Sequence, residues 1–381
     1  MPTDAPRSDL DRLRTDPAAW DEFVRATPGG GYLQLTGWAT VKAANGWRAR
    51  RVVADAGNGP IGVQLLIRRL GPTPFGVGYA PRGPVGARDP RSLSALTGQL
   101  ARVGREERLS HITMDPGWAM PGPGPRSEAA TLPSPVTSLL AAGWRRSDDL
   151  QHDRTRIVDL GDPDGLWADV RSRTQRYIKS ARKAGITVTR EGTASMDEFH
   201  GLLVATAERA GFIYREAESY RRIVDTFEED GAHLLMARTT AGRAVAGLLI
   251  VRCGDTVAEP SGGMDDEGAE TRANYLLKWE AISRAAADGA RHYDMWGIAH
   301  GGIDQFKAGF GGHEVRYPGT FDLQTLPLLR PGLLVARRTW VSMARRRRGL
   351  ATHRTPAEDA ALTSGATDAA THGETGAGTD A

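Results

Sequence analysis

The chain has 381 residues, 40% of them hydrophobic and 25% charged, with a formal net charge of only +3. That length suits two domains, each with its own core, and the near balance of charge leaves any anion recognition to local patches rather than a bulk field. One cysteine, Cys253, excludes an internal disulfide and any Cys/His metal spacing, and it fits a reducing compartment.

The opening MPTDAPRSDLDRLR is polar and carries acids, without the apolar core of a signal peptide. No run reaches the roughly 18 apolar residues of a membrane span. The best candidate, Leu326 to Trp340, is broken by Arg330 and Pro331, so the expectation is a cytosolic protein. LQLTGWATVKAANGW predicts a helix whose apolar side includes Trp38 and Val41 and which carries Lys42. Arg51 to Arg69 alternates into a strand, turns at Gly57 to Gly59 and returns through Gly62, a hairpin signature. A helix over about 91–108 leads into LSHITMDPGW, a strand ending at Asp115 before Pro116. Pro116 to Pro135 reads as an exposed Pro/Gly loop. RSRTQRYIKSARKAG predicts a basic helix, ASMDEFHGLLVATAERAG a second helix followed by a shorter one. Leu234 to Arg252 is another hairpin, turning near Gly242 and returning through Gly247. A helix over about 271–288 leads into ARHYDMWGI, and then comes a glycine-rich turn, GGIDQFKAGFGG, with Lys307 between Phe306 and Phe310. A basic run precedes a tail, 350–381, whose lack of large apolar residues predicts disorder.

The two hairpins are each followed by a helix and a strand-like run, and Gly62 and Gly247 stand at nearly the same offset as His111 and His292. Two copies of one mixed α/β unit are expected. The hairpin, helix, strand order resembles an N-acyltransferase fold of the GNAT type. In that fold, CoA pyrophosphate sits on amides at a helix N-terminus. The turn here, DDEGAETRANYLLKW, has one glycine, Gly268, and four acids, which repel a pyrophosphate. The expected fold class is therefore α/β (α+β): two tandem GNAT-like domains with a cleft between them. Domain 1 would span 1–155, completed by 320–345, and domain 2 would span 156–319.

Seven pieces follow in one order: LQLTGWATVKAANGW, YAPRGPVG, ITMDPGW, RYIKSARKAGI, YLLKWEAI, YDMWGI and DQFKAGFGG. Together they resemble the FemXAB family of peptidoglycan-bridge aminoacyltransferases, over roughly Gly31 to Phe321. The resemblance implies transfer of an amino acid, glycine first, from aminoacyl-tRNA as co-substrate, with no other cofactor. The acceptor implied is the stem-peptide amine of lipid II or of its soluble precursor UDP-MurNAc-pentapeptide. A monomer touching the inner membrane face would meet lipid II. No long helical pair falls between Ala194 and Asp230, so the chain is similar to the armless branch.

Each candidate site residue has a functional reading and a plainer one. The residues alone leave Lys307 a phosphate contact, an oxyanion contact or an exposed loop lysine. The family places a Phe-Lys pair at the active site, which carries catalytic roles to Phe306 and Lys307; a fixed cation lowers the barrier to a tetrahedral intermediate. Asp115 is placed to project a carboxylate into a cleft, where it would orient or deprotonate an acceptor amine of pKa about 10; the alternative is an Asx turn. Lys42 and Arg215, with Tyr220 beside the latter, match the family's diphosphate-binding regions. EPSGG (Glu259 to Gly263) departs from the aromatic substrate contact expected there. Arg176, Lys179, Arg182 and Lys183 form a basic face that suits tRNA phosphates or is simply solvated. There is no GxxxxGK[ST] and no GxSxG. Open alternatives are transfer from aminoacyl-tRNA to a secondary-metabolite peptide or protein N-terminus, a CoA-dependent N-acyltransferase, and a non-catalytic RNA-binding protein.

Overall fold

The computed structural model describes residues 5–120, 135–162, 165–210, 214–229, 231–298 and 302–326. The expected disordered tail, the basic run at 345–348 and most of the Pro/Gly loop lie outside the described residues.

The chain forms two compact units. Unit 1 comprises Met1–Asp153, Arg252–Thr256 and a segment beginning at Val315; unit 2 comprises Arg154–Val251 and Val257–Glu314. Unit 1 is built on β1 (Trp47–Asp55), β2 (Pro60–Arg69), β3 (Gly76–Arg82), β4 (Val85–Gly86), β5 (Leu109–Pro116) and β6 (Arg145–Arg146). In unit 2 and beyond come β7 (Arg154–Asp159), β8 (Thr187–Glu191), β9 (His233–Arg238), β10 (Ala244–Cys253), β11 (Thr256–Met264), β12 (His292–Asp294), β13 (His313–Arg316) and β14 (Phe321–Gln324). One sheet runs β1-β2-β3-β5-β14-β6, with β4 also on β2; the other runs β13-β7-β12-β11-β10-β9-β8.

Both expected hairpins are present. β1 and β2 pair antiparallel from Trp47↔Arg68 to Asp55↔Pro60, and the turn between them uses Gly57 (φ 98) and Gly59 (φ 94), a region that favours glycine. β9 and β10 pair in the same sense around Gly242 (φ 82). In unit 1 the crossover helix Pro90–Glu106 starts at Asp89, whose carboxylate accepts the N–H groups of Arg91 and Ser92, with proline at the first turn. Leu93, Leu96, Leu100 and Val103 recur at helical spacing and are buried against the sheet. The helix returns the chain to β5, which pairs parallel with β3 and brings Asp115 opposite Pro81. The corresponding helix of unit 2, Ala273–Ala287, buries Leu276, Leu277, Ala281, Ile282 and Ala285 and leads to β12. The segment between β8 and β9 contains the helices Met196–Ala210 and Ala217–Thr226, with no long helical pair among the described residues.

Candidate active site

Lys307 does not sit in an open turn. Gly302–Ala308 is a short α-helix, because Phe306 and the following Phe310 pack against Tyr275 with ring centroids 4.9 and 6.1 Å apart. The flanking glycines also serve the protein rather than a ligand. A Cβ on Gly309 would lie 2.3 Å from Thr174 Oγ1, and one on Gly312 (φ 69) 2.3 Å from the Ile157 carbonyl. Side chains cannot fit there, so the glycine spacing reports close packing of the helix on β7 and its neighbours.

The ammonium of Lys307 donates to the carbonyls of Met295 and Trp296, both at 2.8 Å, and of Gly297. Its three protons are thereby all engaged. Burial pulls its pKa down to about 8, against the opposing pull of the Asp294 and Asp304 carboxylates. The carbonyl trio converges because Trp296 adopts φ 55, a left-handed conformation that costs a non-glycine residue about 1 kcal/mol or more. Asp294 holds that turn: its Oδ1 accepts the Trp296 N–H at 2.8 Å and the Thr155 hydroxyl. Beneath the helix, Lys278 bonds to Glu259, whose other oxygen accepts the Tyr293 hydroxyl at 2.6 Å. The position where an aromatic contact was expected is thus taken by one member of a buried ion pair.

The Asp115 centre of unit 1 corrects a second expectation. The carboxylate is 2% exposed and does not project. Oδ2 accepts the Tyr79 hydroxyl at 2.9 Å and Oδ1 the backbone N–H of Arg82 at 2.8 Å. Parallel pairing of β3 with β5 sets these donors directly over it. Burial raises its pKa to about 6, opposed first by the Arg82 charge and then by the bonds it accepts. Tyr79 is itself pushed well above the usual phenol range, by burial and then by the Asp115 charge. Gln151 donates to the Tyr79 hydroxyl at 3.0 Å. Arg82 has φ 54, and its guanidinium lies 4.1 Å from the Tyr317 ring centre and donates to the His152 carbonyl at 2.8 Å.

The other expected residues are distributed as follows. Lys42 is buried, its ammonium 4.8 Å from the centre of the Trp38 ring, because the stem follows the apolar side of the Thr36–Ala43 helix. Tyr220 is also buried, against Phe199; its hydroxyl accepts the Arg215 N–H at 3.3 Å, and His200 Nε2 bonds the Arg215 carbonyl at 2.9 Å. Tyr220 therefore fixes the backbone of Arg215. The helix Ser172–Lys183 buries Thr174, Ile178 and Ala181, while Arg173, Arg176, Lys179, Arg182 and Lys183 are exposed. Arg182 is paired with Glu280 at 3.0 Å.

Sequence reasoning does not single out Tyr79, Arg82, Gln151, Thr155, Lys278 or Asp294. Lys278 and Tyr293 do leave a trace, since each stands at an otherwise apolar position of its motif, a signal that a buried polar partner exists.

The FemAB family signature matches residues 15–244 and 238–332. A lipid II:glycine glycyltransferase of Staphylococcus saprophyticus is 28% identical over 58% of this chain and 54% of that protein. A second protein of that name, from Staphylococcus aureus, is 30% identical over 55% of this chain and 51% of its own length. The chain thus spans about half the length of the curated relatives it matches. The crystal structure of FemX superposes with a TM-score of 0.71 at 21% identity, covering 82% of this chain and 97% of that one. With a signature covering most of its length and a shared fold, the chain belongs to the FemAB family.

Proposed function

We propose that this protein is an aminoacyltransferase that moves an amino acid, glycine first, from aminoacyl-tRNA to the stem-peptide amine of lipid II or of its UDP-linked precursor. Family membership and the names of its staphylococcal relatives support a glycyl transfer that builds the peptidoglycan bridge. The observation that carries the chemistry is Lys307, an ammonium held in place by three carbonyls. In the reaction, the acceptor nitrogen bonds to the ester carbonyl carbon and the ester C–O bond breaks. The ribose hydroxyl leaves with the proton that the amine gives up. Negative charge develops on the carbonyl oxygen, and a held positive charge beside it lowers the barrier. Asp115, closed in by Tyr79 and Arg82, acts by positioning these residues rather than by touching the amine.

A CoA-dependent reaction is disfavoured by a local contact. Asp265 accepts the Gly268 N–H at 2.8 Å, and Arg243 pairs with both Asp265 and Glu267. The amide that would meet a pyrophosphate is already capped by a carboxylate. No helix among the described residues is long and apolar enough to cross a membrane. A monomer that meets lipid II peripherally at the cytoplasmic face fits this reading.

The test is mass spectrometry of lipid II, and of UDP-MurNAc-pentapeptide, after incubation with the purified protein and a pool of charged tRNAs. A mass gain on the stem peptide supports the reading and identifies the amino acid. Loss of charged tRNA without that gain moves the acceptor elsewhere. If no mass is gained and charged tRNA is not consumed, the reading is overturned.

A further inference from the structure

Unit 2 carries a cluster of cations that local structure does not explain. Arg272 opens the Ala273–Ala287 helix in a left-handed conformation (φ 63), and no side chain caps that helix. Arginine is a poor local choice there. Its Cβ crowds a backbone that suits glycine or asparagine, and its charge faces the positive end of the helix dipole. The guanidinium instead lies 4.9 Å from the ring centre of Tyr177, on the neighbouring helix Ser172–Lys183. Arg173 reaches the same side chain from within that helix, its Nε donating to the Tyr177 hydroxyl at 2.9 Å. Arg173, Arg176 and Arg272 are exposed, and among the described residues none has a carboxylate within ion-pair distance, whereas Arg182 is paired with Glu280. The acids just before Arg272 are engaged by other arginines: Asp265 and Glu267 by Arg243, Asp266 by Arg209.

Aromatic contacts link this cluster to Lys307. Tyr275 packs on Tyr177 with ring centroids 4.8 Å apart, and Phe306, the residue before Lys307, packs on Tyr275 at 4.9 Å. Exposed guanidinium planes beside an aromatic ring are the chemistry that stacks an unpaired base, and cations without a counter-ion attract its phosphate. The ester of a charged RNA sits on the ribose of its last nucleotide, so the last base must lie close to the reacting carbon. We propose that Arg272, Tyr177 and Arg173 bind the 3′-terminal nucleotide of the RNA donor. The base stacks on the guanidinium and phenol layer, its phosphate meets the exposed cations, and the ester is thereby held beside Lys307. The inference rests on the reading of an RNA-borne ester as the substrate.

The test is fluorescence anisotropy of an acceptor-stem RNA hairpin ending in CCA against the same hairpin ending in CC, neither carrying an amino acid. In the native protein the terminal adenosine should tighten Kd about tenfold, the scale of stacking one base. That preference should vanish in Tyr177→Leu and in Arg272→Asn, and persist in Arg182→Ala. Asparagine tolerates the left-handed backbone, so Arg272→Asn should keep its thermal midpoint while losing the preference, and it carries the test should Tyr177→Leu fail to fold. Equal affinity of the native protein for the two hairpins, or a preference that survives in Arg272→Asn, overturns the inference. If the native affinities are equal while the stem peptide still gains mass, this site falls and the proposed function stands. A preference that Arg272→Asn abolishes, in a protein that transfers nothing, leaves this site standing and removes the proposed function instead.

Discussion

The two units place a buried aspartate at the end of equivalent strands, Asp115 in β5 and Asp294 in β12. Each carboxylate accepts a hydroxyl and the backbone N–H of a non-glycine residue held at positive φ: Tyr79 and Arg82 (φ 54) in unit 1, Thr155 and Trp296 (φ 55) in unit 2. The two units thus share a device, an aspartate that stabilises a strained turn at a strand end. They differ in what the turn presents. In unit 1 it presents an arginine stacked on Tyr317; in unit 2 it aims three carbonyls at Lys307. The same backbone solution therefore seats a cation in one unit and forms a clamp in the other.

Removing the cation should have the largest effect on that contrast. Lys307→Ala is expected to lower kcat about 10²–10³-fold, the scale of losing one charge that faces a developing oxyanion. Far-UV circular dichroism should be retained, and single-turnover transfer measures the loss. Comparable activity in the variant would make the two centres equally structural.

The pH dependence separates them next. In the proposed reaction Lys307 acts as an ammonium, present below about 8, and Asp115 supports its turn as a carboxylate, present above about 6. The rate should therefore be bell-shaped between those values. Asp115→Asn should remove the acid limb and leave the alkaline one, whereas a general base at Asp115 would instead abolish transfer at every pH.

Stability sharpens the same point. Asp115 has a folded pKa above its unfolded value, so the native state binds the extra proton between about pH 4 and 6. Its contribution favours folding below that window and is lost as pH rises through it, by up to about 3 kcal/mol. Denaturant midpoints at pH 4.5 and 7 should reveal this slope in the native protein and its absence in Asp115→Asn.

The smallest effects are expected on the basic helix of unit 2. Charge reversal at Arg176 and Lys179 should weaken tRNA binding and reduce its salt slope by about 1 for each phosphate no longer neutralised. Arg182→Ala should change least, because Glu280 already pairs with it. Filter binding across a salt series distinguishes these from a helix face that is only solvated, for which no variant would change the slope.

The elements themselves were legible along the chain because they rest on local rules. Alternating apolar residues around Gly57 and Gly242 make hairpins, and Leu93, Leu96, Leu100 and Val103 make a helix face at its own period. The near-constant offset between repeats follows from the same patterns. Motif order was likewise enough to indicate the family.

The partners of each side chain were not legible, because they come from strands far apart in the chain. Asp115 reads as a projecting carboxylate until β3 pairs beside it and closes Tyr79 and Arg82 over both oxygens. Lys42 reads as a cation on a helix with an apolar side, and only the fold shows it buried with its ammonium over the Trp38 ring. GGIDQFKAGFGG reads as open backbone until Thr174 and Ile157 fill the space above its glycines and Phe306 and Phe310 coil it into a helix. Sequence alone therefore determined periodicity, repeat and motif. Which polar groups are buried together, and so which charges are shifted and available, was decided only by long-range packing, where desolvation and partner geometry outweigh local preference.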